Sequence, residues 1–410
     1  MQELFDSISL NWRLSPDMMS LVTILWILLI TFLVLAFMAT FAGVTSWIER
    51  RIAGRMMSRI GPNRVGPAGA LQWIADGLKC FLKEDVIPQA VDQPLFRFAP
   101  YLVFAGCFAA FAVLPFGYGL AASNLDIGIF YISAITTFVV LGILMAGWSS
   151  NNKWSLLGGI RSAAQIVSYE IPTGLAILTI VVLAGTLNMQ EIIKQQGGWP
   201  WNWFIFNNPF SFVAFFIFFS SILAEGNRTP FDLPEAESEL VAGYLTEYSG
   251  MRFVFFFFAE WANLWVMSAI ITTLFLGGWQ IPGIKDLGLV ITQSTGPVKY
   301  LWILSSVAVF FIKTLVFVFI VIWIRWTLPR LRVDQLMIMC WKYFVPIGFT
   351  CLIGSALFVI LPITDSWSWF YLTLKFVLTT LGFGLVAALI GRSIYNIRAL
   401  KDKVYLKVWE

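Results

Sequence analysis

The sequence contains no histidine and only four cysteines, which are Cys80, Cys107, Cys340 and Cys351. A chain without histidine cannot build a bis-histidine haem or an imidazole zinc site, and no two of these cysteines form the CxxC pair that iron–sulfur ligands commonly use. Scattered single cysteines also argue against a disulfide framework. We therefore expect this chain to bind no metal and no cofactor, and to hold no redox centre of its own.

Charge is scarce as well. Only 12% of the residues are charged and the mean hydropathy is +0.80, whereas about a quarter of a soluble domain is charged. A nucleotide-binding loop is absent, because GPNRVGPAG (61–69) has two proline-bearing turns in place of a phosphate-binding spacing. The N-terminus lacks the basic start and cleavage site of a secretory signal, so we expect the first apolar run to remain as a span. No nucleic-acid partner is expected.

Long apolar runs dominate what is present. About 20 apolar residues suffice for a helix to cross the hydrocarbon core of a membrane. Nine runs qualify, at roughly 20–48, 100–120, 127–148, 163–187, 209–224, 252–276, 300–326, 343–362 and 367–391. With no internal repeat and no soluble domain, the sequence predicts an all-α integral membrane protein. We expect one polytopic domain, residues 1–410, with a bundle of about nine transmembrane helices and amphipathic helices at one face.

Basic residues alternate between the connecting segments. Segments 49–99, 149–162, 225–252, 325–342 and 392–410 hold 21 of the 27 lysines and arginines, and the alternate segments hold four. Because loops on the cytoplasmic side carry the basic excess, the N-terminus is predicted to lie outside and the C-terminus in the cytoplasm or its equivalent.

The segment 49–99 contains a second helical signal. Between Ala68 and Lys83, one apolar and one polar stripe recur at helical spacing; the apolar residues are Leu71, Ile74, Leu78 and Leu82, and the polar ones Gln72, Asp76, Lys79 and Lys83. This pattern predicts an amphipathic helix at the membrane surface. Its polar stripe either faces water and lipid headgroups, or lines a cavity, or meets another subunit.

The segment 224–251 is unusually acidic. Six of the 23 acids lie here, namely Glu225, Asp232, Glu235, Glu237, Glu239 and Glu247. Helix-start signals at Thr229 and Asp232 predict a short helix from about Leu233, with Glu235 and Glu239 on one face, where like charges repel. The segment is either a solvated acidic loop or, because apolar residues interrupt it and spans enclose it, a folded loop that exchanges protons.

Four charged residues fall well inside predicted spans: Glu170, Glu260, Lys313 and Lys375. Such residues are costly in a membrane and face a bundle interior or water, so they are candidates for function. They also suit a self-contained cation or proton transporter, although no inverted repeat supports that class. Lys375, in the ninth run, belongs to no recognisable motif and is left out of the site.

Segment 49–85, ERRIAGRMMSRIGPNRVGPAGALQWIADGLKCFLKED, strongly resembles the first cytoplasmic-side loop of the quinone-proximal membrane subunit of respiratory complex I, which is called the H subunit or NADH dehydrogenase subunit 1. The similarity continues in chain order through GGIRSAAQIVSYEIP (158–172), AEGNRTPFDLPEAESELVAGYLTEYSG (224–250), FFFFAEW (255–261) and FIKTLVFVFIVIWIRWTLPRLRVDQLM (311–337). Several long motifs in the same order identify the chain as a member of this family.

The resemblance implies a subunit of a proton-pumping NADH:quinone oxidoreductase. In that family the chain has no catalytic residue of its own: it forms a tunnel for quinone, which is reduced at the junction with peripheral-arm subunits, one of which holds the terminal iron–sulfur cluster. NADH, FMN and the iron–sulfur clusters belong to partner subunits, and antiporter-like membrane subunits and membrane lipid are further partners.

By the same resemblance, the matching positions divide into two groups. Those expected to form the quinone cavity and its access are Glu49, Arg50, Arg59, Asp76, Glu84, Arg161, Glu225, Arg228, Asp232 and Arg325. Those expected to couple reduction to proton movement are Glu170, Glu235, Glu237, Glu239, Glu247, Glu260 and Lys313.

One departure from the family is a ninth run. The family has eight spans, whereas residues 366–391 supply another, followed by a basic tail. The resemblance also leaves a related possibility open, a coupling subunit of a membrane-bound hydrogenase or ferredoxin-linked complex. The expected location is an energy-transducing membrane, a bacterial inner membrane in the first instance.

Overall fold

The structure is a computed structural model that describes residues 16–233, 237–285, 287–294 and 296–360, with isolated positions between 369 and 395. Within these residues the chain forms helices joined by loops and short 3₁₀ turns, without a β-strand, which confirms the predicted all-α polytopic bundle. In chain order the helices are α1 (Pro16–Met56), α2 (Gln72–Leu82), α3 (Gln93–Phe111), α4 (Gly128–Ser149), α5 (Lys153–Ala184), α6 (Met189–Gln195), α7 (Pro209–Glu225), α8 (Glu237–Leu240), α9 (Gly250–Phe275), α10 (Leu287–Gln293), α11 (Pro297–Arg325) and α12 (Val333–Ile360).

Seven of the described helices are long and apolar enough to cross a membrane, namely α1, α3, α4, α5, α9, α11 and α12. The apolar helix α7 is shorter. Together these eight correspond to the first eight predicted runs. The predicted ninth run, 366–391, and the basic tail lie outside the described residues apart from isolated positions.

Several predicted boundaries are wrong by two turns or more. The run predicted at 100–120 forms a helix only at Gln93–Phe111, because the following apolar residues, including Leu114, are a buried loop rather than a helix. The run predicted at 163–187 begins at Lys153, since the side chain of Asn152 accepts a hydrogen bond from the Trp154 amide and caps the helix there. Likewise, α1 continues to Met56 and α12 begins at Val333.

Helix α9 lies at the centre of the bundle. It packs against α1, α3, α7 and α11, and almost every side chain from Trp261 to Phe275 is buried. A second group of helices forms around α5, which contacts α4, α7 and α12. The residues buried between α5 and α9 include polar ones, so the interior of this bundle is not uniformly apolar.

One end of the bundle, which we call the basic face, carries the segments 57–71, 83–92, 226–233, 237–249 and 326–332. The chain turns sharply between α1 and α2, and Gly69 makes this turn possible. Its φ is +72°, and a Cβ there would lie 2.3 Å from the Pro62 carbonyl oxygen, so a side chain would force the turn open. The turn brings α2 back beside α1 and α9.

Candidate functional site

Helix α2 borders a cavity with part of its polar stripe. None of its residues is buried, and its apolar side chains Leu78 and Leu82 are strongly exposed on the outer side. Asp76, Lys79 and Lys83 instead line a cavity of about 480 Å³ between α1, α2 and α9, which we call cavity A. Of the alternatives left by the sequence, the structure therefore favours a polar stripe that lines a cavity.

Cavity A has an aromatic wall and a charged rim. Its apolar lining comes mainly from Trp73, Phe253, Phe257, Phe258 and Trp261. At the rim Arg50 forms an ion pair with Asp76, and the Gln72 amide donates a hydrogen bond to the other Asp76 oxygen at 2.9 Å. A flat, largely apolar molecule with a polar end would match this lining.

A second cavity, B, of about 430 Å³ adjoins the first. Four residues, Ser46, Arg50, Phe257 and Trp261, line both cavities, so the same side chains form their common boundary. The remaining wall of cavity B is highly charged and contains Glu49, Arg59 and Arg325. Cavity A is thus mostly apolar and leads to a polar chamber on the basic face.

Four charged side chains connect cavity B to the interior. Arg325 donates a hydrogen bond to Glu49 at 2.8 Å, and the other Glu49 oxygen lies 3.9 Å from Arg228, which in turn lies 3.2 Å from Glu260. Glu49 and Arg228 are 5% and 2% exposed. Separate elements supply these residues, namely α1, α9, α11 and the loop after α7, so the group forms only in the folded chain.

The geometry of Arg228 is unusual. Its Nη2 atom lies 3.2 Å from Glu260, an ion-pair distance, but without hydrogen-bond alignment. Neither Nε nor Nη2 donates a hydrogen bond to any described atom. Instead, the guanidinium carbon lies 4.2 Å from the centre of the Trp261 ring, a cation–π distance. The position of this buried cation is therefore held by an aromatic face as well as by two carboxylates.

Two smaller cavities continue from Glu260 into the membrane domain. Cavity C, about 30 Å³, is lined by Glu260 and Glu225, and cavity D, about 210 Å³, is lined by Glu225 and Glu170. Glu225 also accepts a hydrogen bond of 2.5 Å from the Thr173 hydroxyl. A cavity of this size with polar walls can hold water, so C has room for about two water molecules and D for several.

The other acids of segment 224–251 are engaged separately. Asp232 pairs with Arg330 at 3.2 Å, and Glu239 accepts from Arg161 at 2.7 Å in a solvent-exposed pair. Glu247 accepts from the Asn152 amide at 2.6 Å. The structure does not bring Glu239 and Glu247 into the file formed by Glu49, Glu260, Glu225 and Glu170. Asp232 differs from them, because it is buried, interacts electrostatically with Glu260, and has one oxygen without a partner among the described residues.

The structure does not test where the helix predicted from about Leu233 begins. Leu233 is non-helical, Asp232 pairs with Arg330, and the first described helical residue is Glu237, while residues 234–236 lie outside the described part of the chain. Glu235 lies outside the described residues, and of Glu237 only the backbone is described. The predicted shared face of Glu235 and Glu239 therefore remains a prediction.

A set of contacts ties the end of the acidic segment to the segment after α2. The Ser249 hydroxyl accepts from the Val86 amide at 3.0 Å, and Arg252 pairs with Asp85 at 2.9 Å. Tyr248 stacks on Phe96 with ring centres 4.1 Å apart and donates to the Phe96 carbonyl. Burial raises the pKa of Tyr248 to about 12, so its hydroxyl remains a donor. These contacts, rather than the carboxylate of the exposed Glu84, fix the edge of cavity A.

Lys313 is placed apart from the acids. Its ammonium donates to the carbonyls of Leu276, Gly278 and Gln280 at 2.8, 3.0 and 3.0 Å, and it lies 4.6 Å from the centre of the Trp203 ring. These carbonyls belong to the end of α9 and the turn after it, where backbone acceptors lack helical partners. No described contact connects Lys313 to a carboxylate.

Sequence reasoning did not single out several residues of this site. Trp261 follows Glu260 directly in FFFFAEW, and Arg330 lies in the last recognised stretch, so both were within the quoted motifs. Thr173 and Asn152 gave no signal, because a threonine or asparagine near a helix is usually a local hydrogen-bonding residue.

The fold and site define a class: an integral membrane protein that holds a ligand-sized cavity at one face and a file of buried charges behind it. The family model of NADH dehydrogenase matches residues 28–356. The chain is 56% identical over 344 residues to the NADH-quinone oxidoreductase H subunit of Anaeromyxobacter dehalogenans, covering 82% of this chain and 83% of the relative. It is 50% identical over 318 residues to the H subunit of Chlorobaculum tepidum, covering 76% and 86%. NADH-quinone oxidoreductase subunit 8 of Rhodothermus marinus is 45% identical over 340 residues, covering 82% and 98%. The chain belongs to the family of NADH-quinone oxidoreductase H subunits, as its motifs predicted.

Proposed function

We propose that this chain is the membrane subunit of a proton-pumping NADH-quinone oxidoreductase in which cavities A and B admit and hold the quinone, and in which buried acids couple its reduction to proton movement. The three relatives compared above are named as subunits of NADH-quinone oxidoreductase, which favours this function over a hydrogenase-linked subunit or a self-contained transporter. Cavity A supplies an apolar passage from the membrane, and cavity B supplies the polar chamber in which a headgroup would sit.

The observation that carries the proposal is that Glu49 belongs both to the wall of cavity B and to the buried ion-pair group. This carboxylate lines cavity B and also belongs to the buried ion-pair group with Arg325 and Arg228. Reduction of a quinone creates negative charge and demand for protons beside it. At a buried site such a change acts strongly on neighbouring charges, because there is little water to screen it. Glu49 is thus the first acid that would respond.

The path for that response runs through Glu260, Glu225 and Glu170. Cavities C and D separate these acids and provide space for water between them. One buried oxygen of Glu170 has no partner among the described residues, which leaves it available to such water. We propose that protons move along this file toward neighbouring membrane subunits. Glu239 and Glu247 have separate basic or amide partners and shape the loop, whereas Asp232 pairs with Arg330 beside this file.

Electrons come from partner subunits in this proposal. NADH, FMN and iron–sulfur clusters would be held on the peripheral arm, which docks on the basic face and closes cavity B on its open side. Arg59 lines this cavity and is exposed, so it is placed to contact such a partner. The basic face is then cytoplasmic, the N-terminus lies outside, and the chain is a single membrane domain in an energy-transducing membrane.

Filling cavity A tests the proposal. Gly77 lines this cavity, and a Cβ there meets no atom within 4 Å, so Gly77→Leu adds bulk to the cavity without a clash in the backbone. We expect the assembled enzyme to reduce a long-tailed quinone at least about tenfold more slowly, while NADH oxidation by a water-soluble acceptor is unchanged. Leu78→Phe adds bulk on the outer side of the same helix and is the matched control. Normal quinone reduction in Gly77→Leu would contradict the proposal.

A further inference from the structure

Trp261 occupies the only position, among the described residues of this site, that meets both cavities and the buried arginine. It is 3% exposed, lines cavity A and cavity B, and presents its ring to the Arg228 guanidinium at 4.2 Å. Phe257, one turn earlier in α9, lines the same two cavities, but among the described residues the cation–π contact of Arg228 is with Trp261 and not with Phe257. Both aromatic residues therefore line the cavity wall, and Trp261 alone of the two forms the cation–π contact with Arg228.

Arg228 depends on this ring because its other partners hold it loosely. The Glu49 oxygen is 3.9 Å away, and the contact at 3.2 Å with Glu260 lacks hydrogen-bond alignment. A guanidinium with two carboxylates on different sides can move toward either one. The aromatic face adds a third restraint on its position, since a cation over a ring is drawn to the centre of that face.

We propose that Trp261 is the positioning residue through which occupancy of cavities A and B reaches Arg228. A molecule that enters either cavity contacts the indole, and displacement of the indole carries the guanidinium from one carboxylate toward the other. When the cavity fills, the Arg228 guanidinium therefore moves closer to one of the two carboxylates, Glu49 or Glu260, and farther from the other. This inference rests on the proposed function, because it requires the quinone to occupy the cavities.

The indole N–H adds a second reason to single out this residue. Nε1 of Trp261 is buried and donates to no acceptor among the described residues. Because this N–H has no acceptor among these residues, no hydrogen bond holds the ring in one orientation. An unpaired buried donor is also costly. The ring is thereby fixed by packing and by the cation alone, which suits a side chain that shifts when its neighbours change.

The test compares three variants in the purified complex reconstituted into phospholipid vesicles, with quinone reduction and protons moved per electron measured together. Trp261→Leu removes the aromatic face and Trp261→Phe keeps a smaller one, while Phe257→Leu changes the cavity wall without touching Arg228. A desolvated cation–π contact biases an equilibrium by roughly ten- to thirtyfold. We therefore expect protons per electron to fall to below about half in Trp261→Leu and to fall less in Trp261→Phe.

The control separates two kinds of failure. Phe257→Leu is expected to raise the KM for quinone and to keep the wild-type number of protons per electron. If Phe257→Leu and Trp261→Leu both leave the KM unchanged, the proposed quinone path itself is refuted. If Phe257→Leu raises the KM but Trp261→Leu pumps with the wild-type ratio, only the role of Trp261 is refuted. If Trp261→Leu does not assemble, Trp261→Phe decides, since an unchanged ratio there would overturn the inference.

Discussion

Lys313 offers a clear choice between two roles. The sequence predicts a coupling residue, whereas its contacts describe an ammonium that holds the end of α9 by three backbone carbonyls. The substitution Lys313→Met keeps most of the side-chain volume and removes all three hydrogen bonds. Lys313→Arg keeps a permanent positive charge and several donors, but an arginine does not release its proton.

The expected loss can be worked from these contacts. A hydrogen bond from a charged donor contributes about 1.5–3 kcal/mol, and three bonds from one donor add less than three independent ones, so Lys313→Met should lose about 3–5 kcal/mol. For a chain of this size that loss corresponds to a midpoint of thermal inactivation lower by roughly 3–6 °C. The loosened turn contains Gly278 and Gln280, which line neither cavity A nor cavity B, so quinone affinity should be unchanged.

The assay follows thermal inactivation and proton pumping in the reconstituted complex. A structural role predicts that Lys313→Met is less stable and that Lys313→Arg pumps normally at near wild-type stability. Two results would refute the reasoning: a Met variant as stable as the wild type, or an Arg variant of normal stability that reduces quinone but no longer pumps. The second result would restore Lys313 to the proton path predicted from the sequence.

Two further predictions concern the charged groups. Glu260→Gln should lower the number of protons moved per electron, because Glu260 is in the buried file, whereas Glu239→Gln should pump normally, because its pair with Arg161 is exposed; equal effects on pumping in vesicles would contradict this assignment. Arg50→Gln should raise the KM for quinone by no more than about fivefold, because the partly exposed pair with Asp76 contributes about 0.2–1 kcal/mol. Its control is Arg64→Gln, and a KM raised a hundredfold would show that Arg50 binds the substrate directly.

The sequence predicted the span-forming segments well and their ends poorly. Apolar runs locate helices in a membrane because the backbone there must satisfy its own hydrogen bonds. Composition does not distinguish a membrane helix from a buried apolar loop. For this reason the predicted second span, 100–120, includes Leu114, which lies in a loop. It also does not show that a helix continues into polar sequence, as α5 does from its cap at Asn152.

The candidate site was predictable as a set of residues but not as an arrangement. Motif resemblance gave Glu49, Arg228 and Arg325, yet Glu49 and Arg325 are 276 positions apart in the chain. Only the packing of α1 against α11 and α9 brings them together. Likewise, nothing in the spacing of Glu225 and Glu239 indicates that one is buried against Thr173 and the other is exposed beside Arg161.

The outward-facing apolar side of α2 has a consequence for measurements of ligand affinity. Since its apolar side faces outward and none of its residues is buried, one wall of cavity A rests against whatever surrounds the protein. In a bilayer that surrounding is the ordered boundary between headgroups and acyl chains, and in a micelle it is detergent. The surroundings of the α2 wall of cavity A are therefore lipid or detergent molecules, depending on the preparation. If cavity A admits quinone as proposed, apparent affinities for long-tailed quinones should vary with the detergent or lipid chosen.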